Sequence, residues 1–199
     1  MNFFEFLIIN TPIRRFIQNQ IEIKGFLDVP NFVKDGTVLE IGCGNGYGTK
    51  LINKYFHPKE ICGIDIDEKM IDLAKKNGNT KTSFVLGDVA QLPFEDNSFD
   101  GIFDFAILHH VPNWKKAIDE MYRVLKKGGQ VFIEDASIET FSTPFGRLIK
   151  LVSDHPYESM YSMNELFDYV SEKGFTLQKK KIYKLLNLTN RFVFIGIKK

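Results

Sequence analysis

Four glycines at alternate positions, Gly42, Gly44, Gly46 and Gly48, follow the apolar run Val38-Leu39-Glu40-Ile41. Glycine takes positive φ and carries no Cβ, so such a loop can turn tightly and let a ligand lie against bare backbone. The stretch Thr49 to Tyr55 behind it reads as a helix, whose free N–H groups and positive dipole end would face the loop. A second apolar run, Ile61-Cys62-Gly63-Ile64, ends in Asp65, a carboxylate able to accept two hydrogen bonds from a diol. A glycine loop after one strand and an acid after the next is how open α/β sheets grip nucleoside-type ligands. Further along stand Asp88, Asp104 and the adjacent pair His109-His110. Imidazole titrates near neutral pH, the property a general base needs.

These residues require a frame. Apolar strand-like runs alternate with helix-like segments, which predicts βαβ units and a parallel sheet. Strands are expected near 37–41, 61–65, 82–86, 100–106, 130–135, 175–183 and 191–198. Helices are expected near 12–28, 48–55, 67–76, 114–125 and 163–173, with Gly78 and Gly128-Gly129 as left-handed helix stops. The last two strands have only Asn187 to Asn190 between them and read as an antiparallel hairpin. The fold class is therefore α/β: a mostly parallel sheet of seven strands that ends in an antiparallel hairpin. No internal repeat or linker interrupts it, and residues 1–199 read as a single domain.

Composition narrows the function. The chain has 199 residues, 44% hydrophobic and 26% charged, with a formal net charge of +1. A chain without a basic field is a poor nucleic-acid binder, so no nucleic-acid partner is expected. Two cysteines, Cys43 and Cys62, make no disulfide framework, and no cysteine or histidine spacing suits zinc, so no metal is expected. The segment Met1 to Ile9 lacks a basic leader, and no apolar run reaches the ~18 residues of a membrane span. The expected setting is the cytoplasm, without stable membrane insertion.

A dinucleotide loop would read Gly-x-Gly-x-x-Gly. Counting from Gly42 or Gly44, the sixth residue is Tyr47 or Thr49, so both registers fail. The sequence shows Glu40-x-Gly42-x-Gly44-x-Gly46, then Gly63-Ile64-Asp65-Ile66-Asp67, Gly87-Asp88-Val89-Ala90-Gln91-Leu92-Pro93-Phe94, Ser98-Phe99-Asp100, Leu108-His109-His110-Val111 and Arg123-Val124-Leu125-Lys126-Lys127-Gly128-Gly129. This ordered series over residues 36–135 resembles the class I S-adenosylmethionine-dependent methyltransferases. The Leu92-Pro93-Phe94 and Leu108-to-Val111 pieces look most like the ubiquinone- and menaquinone-biosynthesis type and its relatives.

The resemblance implies a Rossmann-like, seven-stranded, mostly parallel sheet with a reversed last strand and helices on both faces; it also implies S-adenosylmethionine as cofactor and assigns the residues. Backbone around Gly42, Cys43, Gly44 and Gly46 would take the carboxylate of the methionine arm, and Glu40 the ammonium side. Asp65 would hold the ribose diol, Ile66 and Met70 the adenine face, and Asp88 with the Val89 N–H the adenine edge. Phe105 and the unusual Asp104 are further candidate cofactor contacts. After the fourth strand, where this fold opens toward the acceptor, His109 and His110 are the catalytic candidates, at most one pointing inward; capping the next turn is their alternative role. Trp114, His155 and Tyr157 are candidate acceptor contacts, although packing alone also explains the last two. Asp67 reads as a helix cap, Asp100 as a structural contact and His57 as a loop residue. Residues 1–35 and 136–162, too apolar for solvated tails, would form an N-terminal helical lid and a lid insertion after the fifth strand.

The expected activity is methyl transfer to a small-molecule acceptor; the charge and the absence of an Asn/Asp-Pro-Pro-Tyr/Phe tetrad at Asp104-Phe105-Ala106-Ile107 argue against a nucleic-acid acceptor. The aromatic lids favour an apolar or aromatic acceptor. The competing readings are a silent S-adenosylmethionine-binding regulator and an NAD(P)-dependent oxidoreductase. The acceptor atom and the oligomeric state stay open.

Overall fold

The computed structural model describes residues 11–151, 155–185 and 188–199. The apolar cluster Phe3 to Ile9 and the turn residue Asn187 lie outside them. Seven strands form one sheet in the order β3-β2-β1-β4-β5-β7-β6. These are β1 (Thr37–Ile41), β2 (Glu60–Asp65), β3 (Thr82–Leu86), β4 (Phe99–Phe105), β5 (Leu125–Ala136), β6 (Phe175–Leu185) and β7 (Thr189–Lys198). Every pairing is parallel except those of β7, which runs antiparallel to both β5 and β6. The expected reversed last strand is present.

Alternation along the strands separates two cores. Leu39, Ile41, Ile102, Val131, Ile133, Phe192 and Phe194 point to one face. There they meet α4 (Trp114–Val124) and α7 (Met163–Lys173). Val38, Ile61, Phe103, Phe132, Val193 and Ile195 point to the other, against α2 (Tyr47–Phe56) and the segment Ile23–Phe26. Helices of this length, 10 or 11 residues, are below the ~12–15 at which isolated helices become marginally stable. Burial of one face, about 1.5–3 kcal/mol for each large apolar side chain, is what holds them. Local signals set their ends: Asp67 caps α3 (Glu68–Asn77) by accepting from the Lys69 N–H, as expected. Ser162 and Glu165 form a reciprocal capping box on α7.

Three expectations need correction. The helix expected over 12–28 breaks into α1 (Pro12–Ile17), a π turn (Gln18–Glu22) and a 3-10 turn (Ile23–Phe26). The wider turn brings Glu22 inward, where Arg14 donates to it at 2.8 Å and Arg191 lies 3.5 Å away. Gly78 ends α3 in an extended conformation, φ −70°, so no left-handed residue is needed there. The glycines at 128 and 129 do not stop α4, which ends at Val124; β5 already begins at Leu125, paired with Phe99. Residues 136–162 contain two short helices, α5 (Ile138–Ser142) and α6 (Pro144–Lys150).

The strand order reverses between β1 and β4, which both neighbour each other and lead away to opposite sheet edges. Their C-terminal ends diverge into the glycine loop and the Leu108–His110 turn, leaving the crevice in which open α/β sheets bind ligands.

Candidate active site

The glycine loop folds by using positive φ at Gly42 (58°), Gly44 (51°) and Gly46 (80°). Asp65 fixes its shape from the next strand. One carboxylate oxygen accepts from the Gly44 N–H at 2.8 Å, the other from the Asp67 N–H at 2.9 Å. Burial raises the Asp65 pKa, and these two backbone donors only partly offset it. A Cβ built on Gly44 meets nothing within 4 Å, so this bend faces open space. Gly48 is the opposite case: a Cβ there would lie 1.8 Å from Glu40 Oε1. Its absence lets the Glu40 carboxylate tuck beneath the start of α2.

That carboxylate is fully buried and its Oε2 has no hydrogen-bond partner. Burial, then the charge of Asp65, pushes Glu40 well above the usual carboxylate range, against a smaller pull from Arg14. An unsatisfied buried acid costs about 1–3 kcal/mol or more and calls for a donor. The loop opens onto a cavity of about 360 Å³ lined by Gly42, Asp65, Ile66, Asp88, Val89, Ile107 and His110, among others. Ile66 is 73% exposed and forms an apolar shelf in this cavity. Asp88 caps the Val89–Gln91 turn through the Ala90 N–H and leaves its carboxylate at the rim.

Beyond Ile107 the lining changes to imidazole. His109 and His110 stand in the turn after β4, with ring centroids 4.1 Å apart, and His155 arrives from the distant 136–162 segment, 4.2 Å from His110 and 5.3 Å from His109. Asp135, at the end of β5, pairs through Oδ1 with His109 Nδ1. Its Oδ2 accepts from the His109 N–H at 2.9 Å and from the Tyr161 hydroxyl at 2.7 Å. Burial works against the Asp135 charge, but His109 and Arg191 outweigh it and hold the carboxyl below its usual range. His110 is pushed down to about 2, by burial first and then by its two imidazole neighbours, so it is neutral. The rings of Phe141 and Tyr157 close around His155 at 5.3 and 5.4 Å.

Sequence comparison agrees with this geometry. A family model described as "Methyltransferase domain" matches residues 39–133. A demethylmenaquinone methyltransferase of Staphylococcus aureus is 30% identical over 83% of this chain and 72% of its own length. The chain belongs to the class I S-adenosylmethionine-dependent methyltransferases. A phthiotriol/phenolphthiotriol dimycocerosates methyltransferase of Mycobacterium tuberculosis is 37% identical, over 46% of this chain and 34% of its own length. The chain therefore spans about a third of that relative. The fold matches a solved S-adenosylmethionine-dependent methyltransferase of Aquifex aeolicus with TM-score 0.73, covering 100% of both chains at 18% identity. The family's cofactor is S-adenosylmethionine.

Within this family's fold, the expected site residues fall into three groups. Gly42, Asp65, Ile66, Asp88 and Val89 line the cavity, while Gly44, Gly46, Cys43 and Glu40 shape the loop beside it. His110, His109, His155 and Tyr157 converge on its acceptor side, with His110 in the cavity wall and His109 behind it, 7% exposed. Met70, Phe105 and Trp114 do not line the cavity. Met70 is 2% exposed within α3, on the buried side of the helix. Phe105 packs into the opposite core against Phe26, because strand alternation turns it away; only its carbonyl is used, by Arg14 at 3.2 Å. Trp114 is core, edge-on to Tyr161 and Tyr169. Asp104 is fully buried; Oδ1 accepts from the Ile107 N–H and Oδ2 is without a partner. Burial and the charge of Asp135 raise it well above the usual range, so it is a neutral acid under the turn rather than a charged cofactor contact.

Asp100 plays the expected structural part, accepting from the Thr37 N–H and pairing with Lys126. His57 is the left-handed residue that ends α2. Sequence reasoning missed Asp135 and Tyr161, and also the buried chain Arg14–Glu22–Arg191–Glu134 that ties the first helical segment to the strand ends. Its one visible signal was Glu134-Asp135, two acids closing an otherwise apolar strand.

Proposed function

We propose that this protein transfers a methyl group from S-adenosylmethionine to a small, apolar or aromatic acceptor bearing an ionisable hydroxyl or amine. The observation that carries the reading is the open cradle at Gly44, with Asp65 and Asp88 at its rim and unsatisfied Glu40 behind it. When bound, the cofactor supplies a sulfonium-activated methyl group. Asp65 takes the ribose diol on the lone pairs its backbone donors leave free, Asp88 the adenine edge, Ile66 the adenine face. Glu40 Oε2 receives the ammonium end, directly or through water, which satisfies the one oxygen of this carboxylate that the fold leaves without a donor.

His109, packed beside His110 of the cavity wall, then takes the acceptor's proton through one water as the heteroatom attacks. Asp135 holds the ring by Nδ1, which leaves Nε2 as the basic nitrogen and steadies the imidazolium that forms. Alignment supplies much of the remaining acceleration, since the sulfonium is already a good leaving group. The described parts of 136–162 serve as a lid of a single domain, with the helix Pro12–Ile17 opposite; Phe141, His155 and Tyr157 form an aromatic wall against the acceptor. Such a wall suits flat, apolar ligands. A cytoplasmic small-molecule enzyme without a nucleic-acid partner is the setting this implies.

The test is incubation with S-[methyl-³H]adenosylmethionine and a panel of phenols, quinols, amines and carbon acids. Label should enter a phenol- or quinol-like acceptor and vanish in Asp65→Ala. Binding of the cofactor without label transfer to any member would overturn the acceptor assignment and favour the silent binder.

A further inference from the structure

We propose that His109, His110 and His155 form a seat for one divalent transition-metal ion of the zinc type. The methyl-transfer reading needs none of this, and the inference does not rest on it. Each of the three residues offers one ligand nitrogen, and these atoms all lie within 4.8 Å of one another. Three imidazoles contributed by two segments more than forty residues apart in sequence converge at one end of the sheet.

Asp135 supplies the feature that distinguishes a ligand set from three packed rings. It occupies Nδ1 of His109 and so leaves Nε2 as the ring nitrogen available to a ligand. A carboxylate behind a ligating histidine fixes the tautomer and raises the basicity of the nitrogen facing the metal. Asp135 is itself immobilised by the Tyr161 hydroxyl at 2.7 Å and the Ala136 N–H at 2.6 Å.

The donor set selects the ion. Neutral nitrogen ligands suit Zn²⁺, Co²⁺, Ni²⁺ or Cu²⁺ and not the oxygen-seeking Mg²⁺ or Ca²⁺. Ligands at ~2.0–2.1 Å around a tetrahedral zinc lie about 3.4 Å apart, so the nitrogens close by at most about 1.4 Å. Rotation of the half-buried His155 ring accommodates that. Three protein ligands leave a fourth position open, and His110 in the cavity wall directs it toward the acceptor side. Phe141 and Tyr157 give the seat an apolar shell. A seated ion uses the His109 nitrogen that proton abstraction requires, so the loaded protein has no free base.

Co²⁺ titration of the full chain, free of any affinity tag, reads the site by its visible absorption without reference to turnover. The expected result is one tightly held Co²⁺ per chain with tetrahedral-type bands, displaced by Zn²⁺. His155→Ala and His110→Gln should each weaken binding more than tenfold, Asp135→Asn by about 10–100-fold, and His57→Ala not at all. Circular dichroism and titration with S-adenosylhomocysteine verify that each variant is folded. No stoichiometric Co²⁺ in the wild type, or equal binding by folded His155→Ala and His110→Gln, overturns the proposal and leaves the methyl-transfer reading untouched.

Discussion

The two sides of the crevice are built on different principles. On the glycine-loop side, proposed to hold the cofactor, β1 and β2 present backbone: three positive-φ glycines, two N–H groups held by Asp65, and a bend at Gly44 clear of neighbouring atoms. On the histidine side, proposed to face the acceptor, β4 and β5 present side chains: three imidazoles, a buried Asp–His–Tyr cluster and aromatic rings in mutual contact. A backbone site has one shape and one ligand class. A side-chain site can be rewritten without moving a strand, which is how one fold serves many acceptors.

The comparison makes substitutions separable. The largest effect should come from His109→Gln, which removes the base while retaining a polar side chain: methyl transfer falls about 10²–10⁴-fold, while affinity for S-adenosylhomocysteine in a titration changes little. Equal losses in both would mean that the two sides are one cooperative unit.

Two glycines sharpen the cofactor side. Gly48→Ala forces a methyl into Glu40 and should lower stability by about 1–3 kcal/mol in urea unfolding. Gly44→Ala meets no neighbour and strains only its left-handed φ, so it should cost about 1–2 kcal/mol of stability. Its main effect is to fill the cradle and weaken cofactor binding. A Gly44→Ala protein that bound the cofactor normally would mean the ligand approaches elsewhere.

The smallest effect is electrostatic. Glu40 sits well above the usual carboxylate range, so it is largely protonated where an ordinary acid is not. An ammonium group beside Glu40 favours the ionised form, and binding must therefore expel a proton. Affinity should rise with pH through the range where Glu40 of the ligand-free protein titrates and flatten above it. Calorimetry in buffers of different ionisation enthalpy should show proton release in the wild type and none at this site in Glu40→Gln.

How much of this was legible in the sequence follows the same division. Glycine spacing and strand-end acids report local backbone needs, so Gly42 to Gly48, Asp65, Asp67 and Asp88 could be placed before any coordinates. The mostly parallel sheet and the closing hairpin followed from alternation and the missing helix between the last strands, the reversal of the last strand came with the resemblance, and the order of the strands was not legible. The acceptor side depends on residues that meet only through the fold: His109 with Asp135, 26 positions on, and His155 from a segment without strong periodicity. Phe105 and Trp114 were misplaced for a related reason. A large aromatic near a strand end reads alike whether it faces ligand or core, and only the pleat decides.

The central claim is that the glycine loop and Asp65 form the cofactor site independently of the histidine cluster. Calorimetric titration of wild type, Asp65→Ala and His109→Gln with S-adenosylhomocysteine tests it directly. Losing two charge-assisted hydrogen bonds to the ribose should weaken Asp65→Ala by about a hundredfold or more, with His109→Gln close to wild type. Wild-type protein that does not bind, or Asp65→Ala that binds as well, would contradict the account.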